Sequence, residues 1–489
     1  MLQDQRSESI EIFDRSCQQY ERMILAVDTT TGDTVRFGEL PRLSACLVRD
    51  IAEAIPIKSG RILLSIRSQF VFTITYLSIL RYGLTAVPVN PLLPSESIRR
   101  IVDAADADGI ITDGAVPSGD LPAALITGEN LRANGSTPHW HWSPAKDAPA
   151  VVLFTSGTTS YPKGVMINGT SLIANAADIA SALGIHRSKL LGILPLYHTN
   201  GQVINILIPL LTGSTIYCGG DYTLTSLSGF WKDIEQYQIE FVDLVPTVIM
   251  ALLSLLPSEK PNTSSLKYVI CGAAPISPNI LLQFEEKFEV RVLQEYGLSE
   301  VTCISAIETP TAKRWGTVGK PLRGNQIEIR DENGQPLHYG HRGEVWIKGA
   351  YTMQGYLGGA GQYGLPIKDG WVGTGDLGQF DQDQFLTICG RKKNVIIKGG
   401  ETIIPEDIEK IAQNHESVLD AAAIGRENQF YGEVIELLVV WRDDLQQATE
   451  LGEVLRKALP KSWWPDRITT VAHIPRTPSG KILRNQLSI

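Results

Sequence analysis

The stretch AVVLFTSGTTSYPKG, residues 150–164, decides the fold. Its first five residues form an apolar run too short for a helix and of the right length for a buried strand. A loop of hydroxyl and glycine residues follows, closed by Pro162, Lys163 and Gly164. Ligands of open α/β sheets bind beyond the carboxyl ends of the strands, so this loop is expected at a sheet edge. The pattern around it agrees. Residues 171–183 read as a helix stopped by Gly184, 189–194 as a strand, 226–237 as a helix and 241–244 as a strand. Residues 267–271 read as a strand, 278–288 as a helix and 290–293 as a strand. Strands alternating with helices of about 10–15 residues predict a parallel sheet with covering helices, and residues 61–111 repeat the pattern and extend the sheet.

After residue 324 short alternating runs (326–329, 343–348, 384–388) are separated by turns such as DENG, predicting an antiparallel or barrel-like β unit. A charged junction, RKKN, follows Gly390, and a helix is expected to start at Pro405, with Glu406 and Asp407 favourable in its first turn. The predicted fold is α/β. A large N-terminal domain (1–390) of parallel-type sheets under helices carries the barrel-like subdomain, and a small α+β C-terminal domain spans 391–489.

The chain has 489 residues, 43% hydrophobic and 20% charged, which suits a globular protein of about three folding units. Its net charge of −9 means that any polyphosphate site must be local, and it argues against nucleic-acid binding. Six scattered cysteines without zinc spacing predict reduced, buried thiols in a cytoplasmic protein. The charged N-terminus does not read as a signal peptide. The most apolar stretch, 203–218, is interrupted by Pro209, Gly213 and Ser214, so membrane insertion is not expected.

Three loops carry the chemistry: TSGTTSYPKG (155–164), GAAP (272–275) and EYGLSE (295–300), each following a strand and expected at a common sheet edge. In the first, glycines let backbone N–H groups approach phosphate oxygens, hydroxyls donate, and Lys163 adds charge. The order G-x-x-x-x-G-K-[ST] is absent, so this is not a P-loop of the Walker type.

LFTSGTTSYPKGVM (153–166) resembles the signature loop of the adenylate-forming superfamily, which includes acyl-CoA synthetases, peptide-synthetase adenylation domains and luciferases. The rest of that family's motif order is present as LSILRYGLTAVPVNP (77–91), PLYHTNG (195–201), YGLSE, GEVWIKG, GYL, VGTGDLG (372–378), GRKKNVIIKGGETIIPEDIE (390–409) and PRTPSGKILR (475–484). The resemblance covers nearly the whole chain and is nearest the acyl-CoA synthetase type.

It implies an AMP-forming acid–thiol ligase using ATP, Mg²⁺ and a thiol. A small-molecule carboxylate would be joined to AMP and then passed to CoA. By the resemblance, Thr155, Ser156, Gly157, Thr158, Thr159 and Lys163 grip the β- and γ-phosphates. Glu300 holds Mg²⁺, and a lone carboxylate suffices because magnesium keeps several waters. Ser299, where most relatives have Thr, bonds the α-phosphate. Tyr296 stacks on adenine opposite Gly272, Ala273 and Ala274, and Asp376 and Arg391 take the ribose. Lys481 reaches the reacting carboxylate and the α-phosphate from a mobile C-terminal domain. That domain rotates about a hinge at Lys393 between the two half-reactions, bringing Lys398, Gly399 and Gly400 to the pantetheine tunnel. His198, Asn200, Gly201 and Gly297 belong to the acyl pocket.

Two departures stand out. Ser160 replaces the usual glycine and would cost roughly 1 kcal/mol or more if that position requires φ > 0. The pocket motif lacks the acidic residue with which amino-acid-activating domains hold an α-amine, which points away from an α-amino acid. Two other readings stand beside the CoA ligase: a stand-alone enzyme loading the phosphopantetheine of an acyl carrier protein, and a catalytically silent acyl or nucleotide binder.

Overall fold

The computed structural model describes residues 2–114, 122–132, 148–155, 163–219, 227–255, 261–358, 364–442, 447–477 and 480–487. Two largely parallel sheets build the N-terminal part, where the sequence pattern suggested one. The nine-stranded sheet runs, in spatial order, Lys320–Pro321, Ile304–Ile307, Arg291–Gly297, Tyr268–Cys271, Phe241–Leu244, Lys189–Gly192, Thr215–Cys218, Ile24–Asp28, Thr34–Arg36. The seven-stranded sheet runs Gly355–Tyr356, Lys163–Ile167, Val151–Thr155, Thr85–Pro88, Arg61–Ser65, Gly109–Thr112, Ala123–Leu125. Helices including Gln69–Arg81 and Gly169–Leu183 pack with both sheets in one core containing Leu64, Tyr76, Ala176, Leu190 and Ile270.

The three loops therefore do not share one sheet edge. GAAP and EYGLSE leave neighbouring strands of the nine-stranded sheet, whereas the 155–164 loop belongs to the seven-stranded one. The latter is the tip of an antiparallel hairpin, with Thr155 paired to Lys163. The returning strand Lys163–Ile167 is absent from the sequence reading, which took this segment as a loop leading into a helix. Pairing to Val151–Thr155 on one side and to Gly355–Tyr356 on the other makes a strand of KGVMI, and such pairing leaves no periodic signal of its own.

Local signals set the helix ends. Asn168 accepts from the Ser171 N–H at 2.7 Å and caps Gly169–Leu183, and Gly184 ends that helix with φ +66°. Pro278 and Pro405 open their helices as expected. The apolar stretch from residue 203 is a π-helical turn, Val203–Leu207, and a short helix, Ile208–Thr212, halted by Gly213 at φ +68°; the strand Thr215–Cys218 follows. No helix among the described residues is long and apolar enough to cross a membrane.

Strands Asn325–Arg330, Gly343–Gly349, Ile367–Lys368, Trp371–Phe380 and Leu386–Arg391 form an antiparallel sheet. Beyond it, strands between Ile396 and Thr470 form a sheet that encloses its own core of Ile408, Leu437 and Leu455.

Candidate active site

The ribose-binding candidates meet through strand register. Asp376 and Arg391 are cross-strand partners, and Arg391 Nε lies 2.7 Å from Asp376 Oδ1. The Tyr296 hydroxyl donates to the other oxygen, Oδ2, at 2.8 Å. Asp376 is buried, and a carboxylate offers about four lone-pair sites, so two remain for hydroxyl donors. Burial, then the charge of Asp376, pushes the Tyr296 phenol well above its ordinary range.

Glu300 lies in the single 3₁₀ turn Ser299–Val301, next to Ser299. Its Oε1 accepts from the Tyr356 hydroxyl at 3.0 Å, and its carbonyl accepts from the Met353 N–H at 2.9 Å. Tyr356 pairs with Val165 of the hairpin, so one phenol ties the glutamate to the strand that carries Lys163. Thr302, just after the turn, has φ +69°, and Ala273 in the GAAP loop has the same value. Strained non-glycine backbone of this kind costs on the order of 1–3 kcal/mol and clusters at functional sites.

Three cations converge on these acids, and a fourth, Lys163, lies beside one of them. Lys393, in the 3₁₀ turn Lys392–Asn394, is lowered by burial, then by Arg391 and Lys163, with Asp376 opposing. Lys481 is lowered by burial, then by Arg391 and Lys393, with Asp376 and Glu300 opposing. Arg391, Lys393 and Lys481 thus gather around Asp376, with Lys481 also facing Glu300 and Lys163 beside Lys393, within a chain of net charge −9. A Cβ built on Gly480 would lie 3.6 Å from Ala274 Cβ and 3.4 Å from Thr247 Cγ2, which seats the Lys481 loop on the mouth formed by the GAAP segment.

His198 lies against Tyr197 in a tilted ring contact with centroids 4.7 Å apart. Its side chain keeps contact with water, while the protein packed around it, together with the charge of Lys481, pushes the imidazole down to about 4. It is neutral at physiological pH. The Asn200 amide donates to Asp243 Oδ2 at 2.8 Å and to Glu295 Oε1 at 2.9 Å, and its oxygen accepts from the Cys303 thiol at 3.2 Å. Gly201 and Gly297 have packing reasons to be glycine: a Cβ would meet the Pro195 carbonyl oxygen at 2.7 Å and the Cys303 carbonyl oxygen at 1.6 Å, respectively.

Lys398, Gly399 and Gly400 stand apart from the cation cluster. Lys398 pairs with Asp466 at 2.7 Å inside the C-terminal sheet, and the two glycines have φ +60° and +86°. Thr155 closes its strand, while Ser156, Gly157, Thr158, Thr159 and Ser160 lie outside the described residues. Sequence reasoning gave no role to Tyr356, Asp243 or Glu295. An aspartate inside the fully buried strand FVDL was the available signal for Asp243, since parallel strands buried on both faces read as unbroken apolar runs.

With the geometry in place, comparison with known proteins is decisive. The family profile described as "AMP-binding enzyme" matches residues 13–357, and "AMP-binding enzyme C-terminal domain" matches residues 407–481. The chain belongs to the AMP-binding enzyme family. Within this family, a sulfoacetate–CoA ligase of Cupriavidus necator is 31% identical over 435 residues, covering 83% of this chain and 82% of the relative. The ATP-bound structure of MatB from Rhodopseudomonas palustris superposes with a TM-score of 0.87 at 22% identity, covering 98% of each chain. The o-succinylbenzoate CoA synthetase MenE of Bacillus subtilis, solved with its acyl-adenylate, gives 0.86 at 24%, again over 98% of each chain. These structural likenesses establish the AMP-binding fold for the whole chain.

Proposed function

We propose that this chain activates a carboxylic acid with ATP, releasing pyrophosphate, and transfers the acyl group to coenzyme A. The observation that carries the reading is the gathering of Arg391, Lys393 and Lys481 about Asp376, with Lys481 also facing Glu300 and Lys163 beside Lys393. Two anions must meet in the first step, and cations fixed where they meet supply what their repulsion demands.

The assignment of roles is as follows. Asp376, steadied by Tyr296 and Arg391, accepts from the ribose hydroxyls. Glu300, oriented by Tyr356, would hold Mg²⁺ through the oxygen that Tyr356 leaves open, and bound Mg²⁺ lessens the charge on the phosphate oxygens. A lone carboxylate suffices for this, because magnesium keeps several waters. Lys481 positions the acid carboxylate against the α-phosphorus. A carboxylate oxygen forms the new bond to phosphorus as the bond to pyrophosphate breaks. The thiol sulfur then bonds to the acyl carbon, its proton leaves, and AMP departs.

We assign the boundary between lobes to residues 390 and 391, with Lys393 as hinge, and rotation of the C-terminal lobe as the step that withdraws Lys481 and brings in Lys398, Gly399 and Gly400. Six buried, free cysteines fit a reducing compartment such as the cytoplasm.

The test is pyrophosphate release over a panel of carboxylic acids, with and without CoA. Acid-dependent release with acyl-CoA formation supports the assignment. Release with no acyl-CoA, but with acylation of a phosphopantetheinylated carrier protein, would assign the acceptor to the carrier. No release with any acid would defeat the reading.

A further inference from the structure

Beneath the mouth where the Lys481 loop docks lies a pair of buried carboxyl groups for which the adenylation chemistry has no use. Asp243 pairs in register with Ile270, and Ile270 with Leu293. Side chains two residues apart share a face of a sheet, so Asp243 lies on the same face as Gly272, just past its strand, and Glu295, which stand one row further along. Gly272 occupies the middle column, and its bare backbone is what allows the outer two to meet. A Cβ there would lie 2.2 Å from Glu295 Cγ and 2.3 Å from Glu295 Oε1.

One Asn200 amide nitrogen donates to both acids. It satisfies one oxygen of each. Among the described residues, Asp243 Oδ1 and Glu295 Oε2 have no hydrogen-bond partner, although the residues are 1% and 8% exposed. No cation is among the groups that act on either acid; Asp243 feels Glu295, Asn200 and the Leu244 N–H, and Glu295 feels Asn200. Burying two carboxyl groups without a counter-charge is unfavourable, and two unused acceptors call for a donor. Asn200 is itself only half-buried, so the pair lies directly under the cleft floor.

The place of the pair fixes what could satisfy it. Ala274, which the Lys481 loop abuts, is two residues beyond Gly272 across the bend at Ala273, and so at most about 7 Å from it. An acid held with its carboxylate at Lys481 therefore extends its other end toward Asp243 and Glu295.

We propose that Asp243 and Glu295 select the acid, and that the substrate is a compact carboxylic acid bearing a protonated amine at the end remote from its carboxylate. The ammonium donates to Asp243 Oδ1 and Glu295 Oε2 and supplies the missing positive charge. An α-amine, one carbon from the carboxylate, would remain near the mouth and fall short of the pair. This inference rests on the reading of the chain as an acid-activating ligase.

The experiment compares matched acids by ATP-dependent pyrophosphate release: 4-aminobutanoate against pentanoate, 4-(aminomethyl)benzoate against 4-ethylbenzoate, and glutarate as the opposite-charge control. At least a tenfold higher kcat/KM for the amine of each pair is expected, with glutarate poorest. Glu295→Gln should lower that preference at least tenfold. Glu295→Leu should reverse it toward the alkyl acids, a gain of activity that a misfolded variant could not produce. Equal or better turnover of the alkyl acids or glutarate by the unaltered chain overturns this inference and leaves the ligase assignment standing. Turnover of no acid at all overturns both.

Discussion

A lysine ammonium stripped of water is a stronger electrostatic partner than a solvated one, because the field of its charge is less screened. Lys481 is only partly in that condition: it keeps contact with water at the cleft, while the protein packed around it, ahead of the charges of Arg391 and Lys393, is the main force lowering it below its ordinary value. Incoming phosphate and carboxylate charge would restore its proton affinity, so its interaction grows as the reactants assemble. Lys481→Ala should reduce adenylate formation by about 10²–10³-fold, while thioester formation from supplied acyl-AMP stays within severalfold of the parent. Single-turnover assays of each half-reaction decide this, and equal loss in both would remove Lys481 from the first step. Tyr356 acts one contact away as a positioning residue. Loss of its 3.0 Å bond in Tyr356→Phe frees Glu300 Oε1 to turn. The Mg²⁺ concentration at half-maximal activity should rise about 3–10-fold, the loss of roughly 1 kcal/mol expected of a typical hydrogen bond in a protein, with activity at saturating Mg²⁺ largely kept. A fall in activity that Mg²⁺ does not restore would make Tyr356 merely structural. Lys481 and Glu300 were legible in the sequence because their motifs are contiguous. Tyr356 was not given a role, because its partner is 56 residues away in the chain.

At the scale of strands, the meeting of Asp243 and Glu295 over Gly272 couples packing to titration. Gly272→Ala should destabilise the fold by roughly 1–3 kcal/mol, the usual cost of overpacking, because the added carbon falls on the near end of the Glu295 side chain. In a Glu295→Ala background the same change should cost far less, since the atoms it strikes are gone; additive losses by denaturant titration would place the clash elsewhere. Burial pushes the Glu295 carboxyl up to about 8 from an ordinary 4.5. A carboxyl with a higher pKa in the folded chain is held protonated by folding, so its contribution is complete below pH 4.5 and is lost as pH climbs toward 8. Unfolding free energy of the ligand-free chain should therefore decline across that window, and Glu295→Gln should flatten the decline. A parent profile unchanged by the substitution would mean that Glu295 titrates normally. Most strands and helices here were readable, because Pro278, Pro405 and Gly184 mark ends locally. The division into two sheets was not, because sheet membership depends on pairings such as Thr155 with Lys163 and Cys271 with Gln294 that no local pattern encodes.

A net charge of −9 repels a nucleotide, so its attraction must come from cations clustered locally. Two of the four cations, Lys393 and Lys481, come from beyond Gly390, so if the chain divides and turns there as proposed, the anion site is complete only while the C-terminal lobe is docked. The contacts that dock it are modest. Arg342 pairs with Asp407 at 2.5 Å with nearly half of the arginine side chain in water, and the Ser277 hydroxyl donates to Asn414 at 3.0 Å. An exposed ion pair contributes about 0–1 kcal/mol, which leaves the arrangement easy to exchange for another. If docking favours adenylation and undocking favours thioester formation, weakening the Arg342 pair shifts the balance by no more than its own free energy. Asp407→Ala should then slow acid-dependent pyrophosphate exchange by at most about fivefold and leave thioester formation from acyl-AMP unchanged or faster. Raising the salt concentration should imitate the substitution in the parent and add little to the variant, because both act on the same screened pair. A parallel fall of both half-reactions would show that Asp407 supports the C-terminal lobe itself, whose first helical turn it occupies, and not the equilibrium between its two positions.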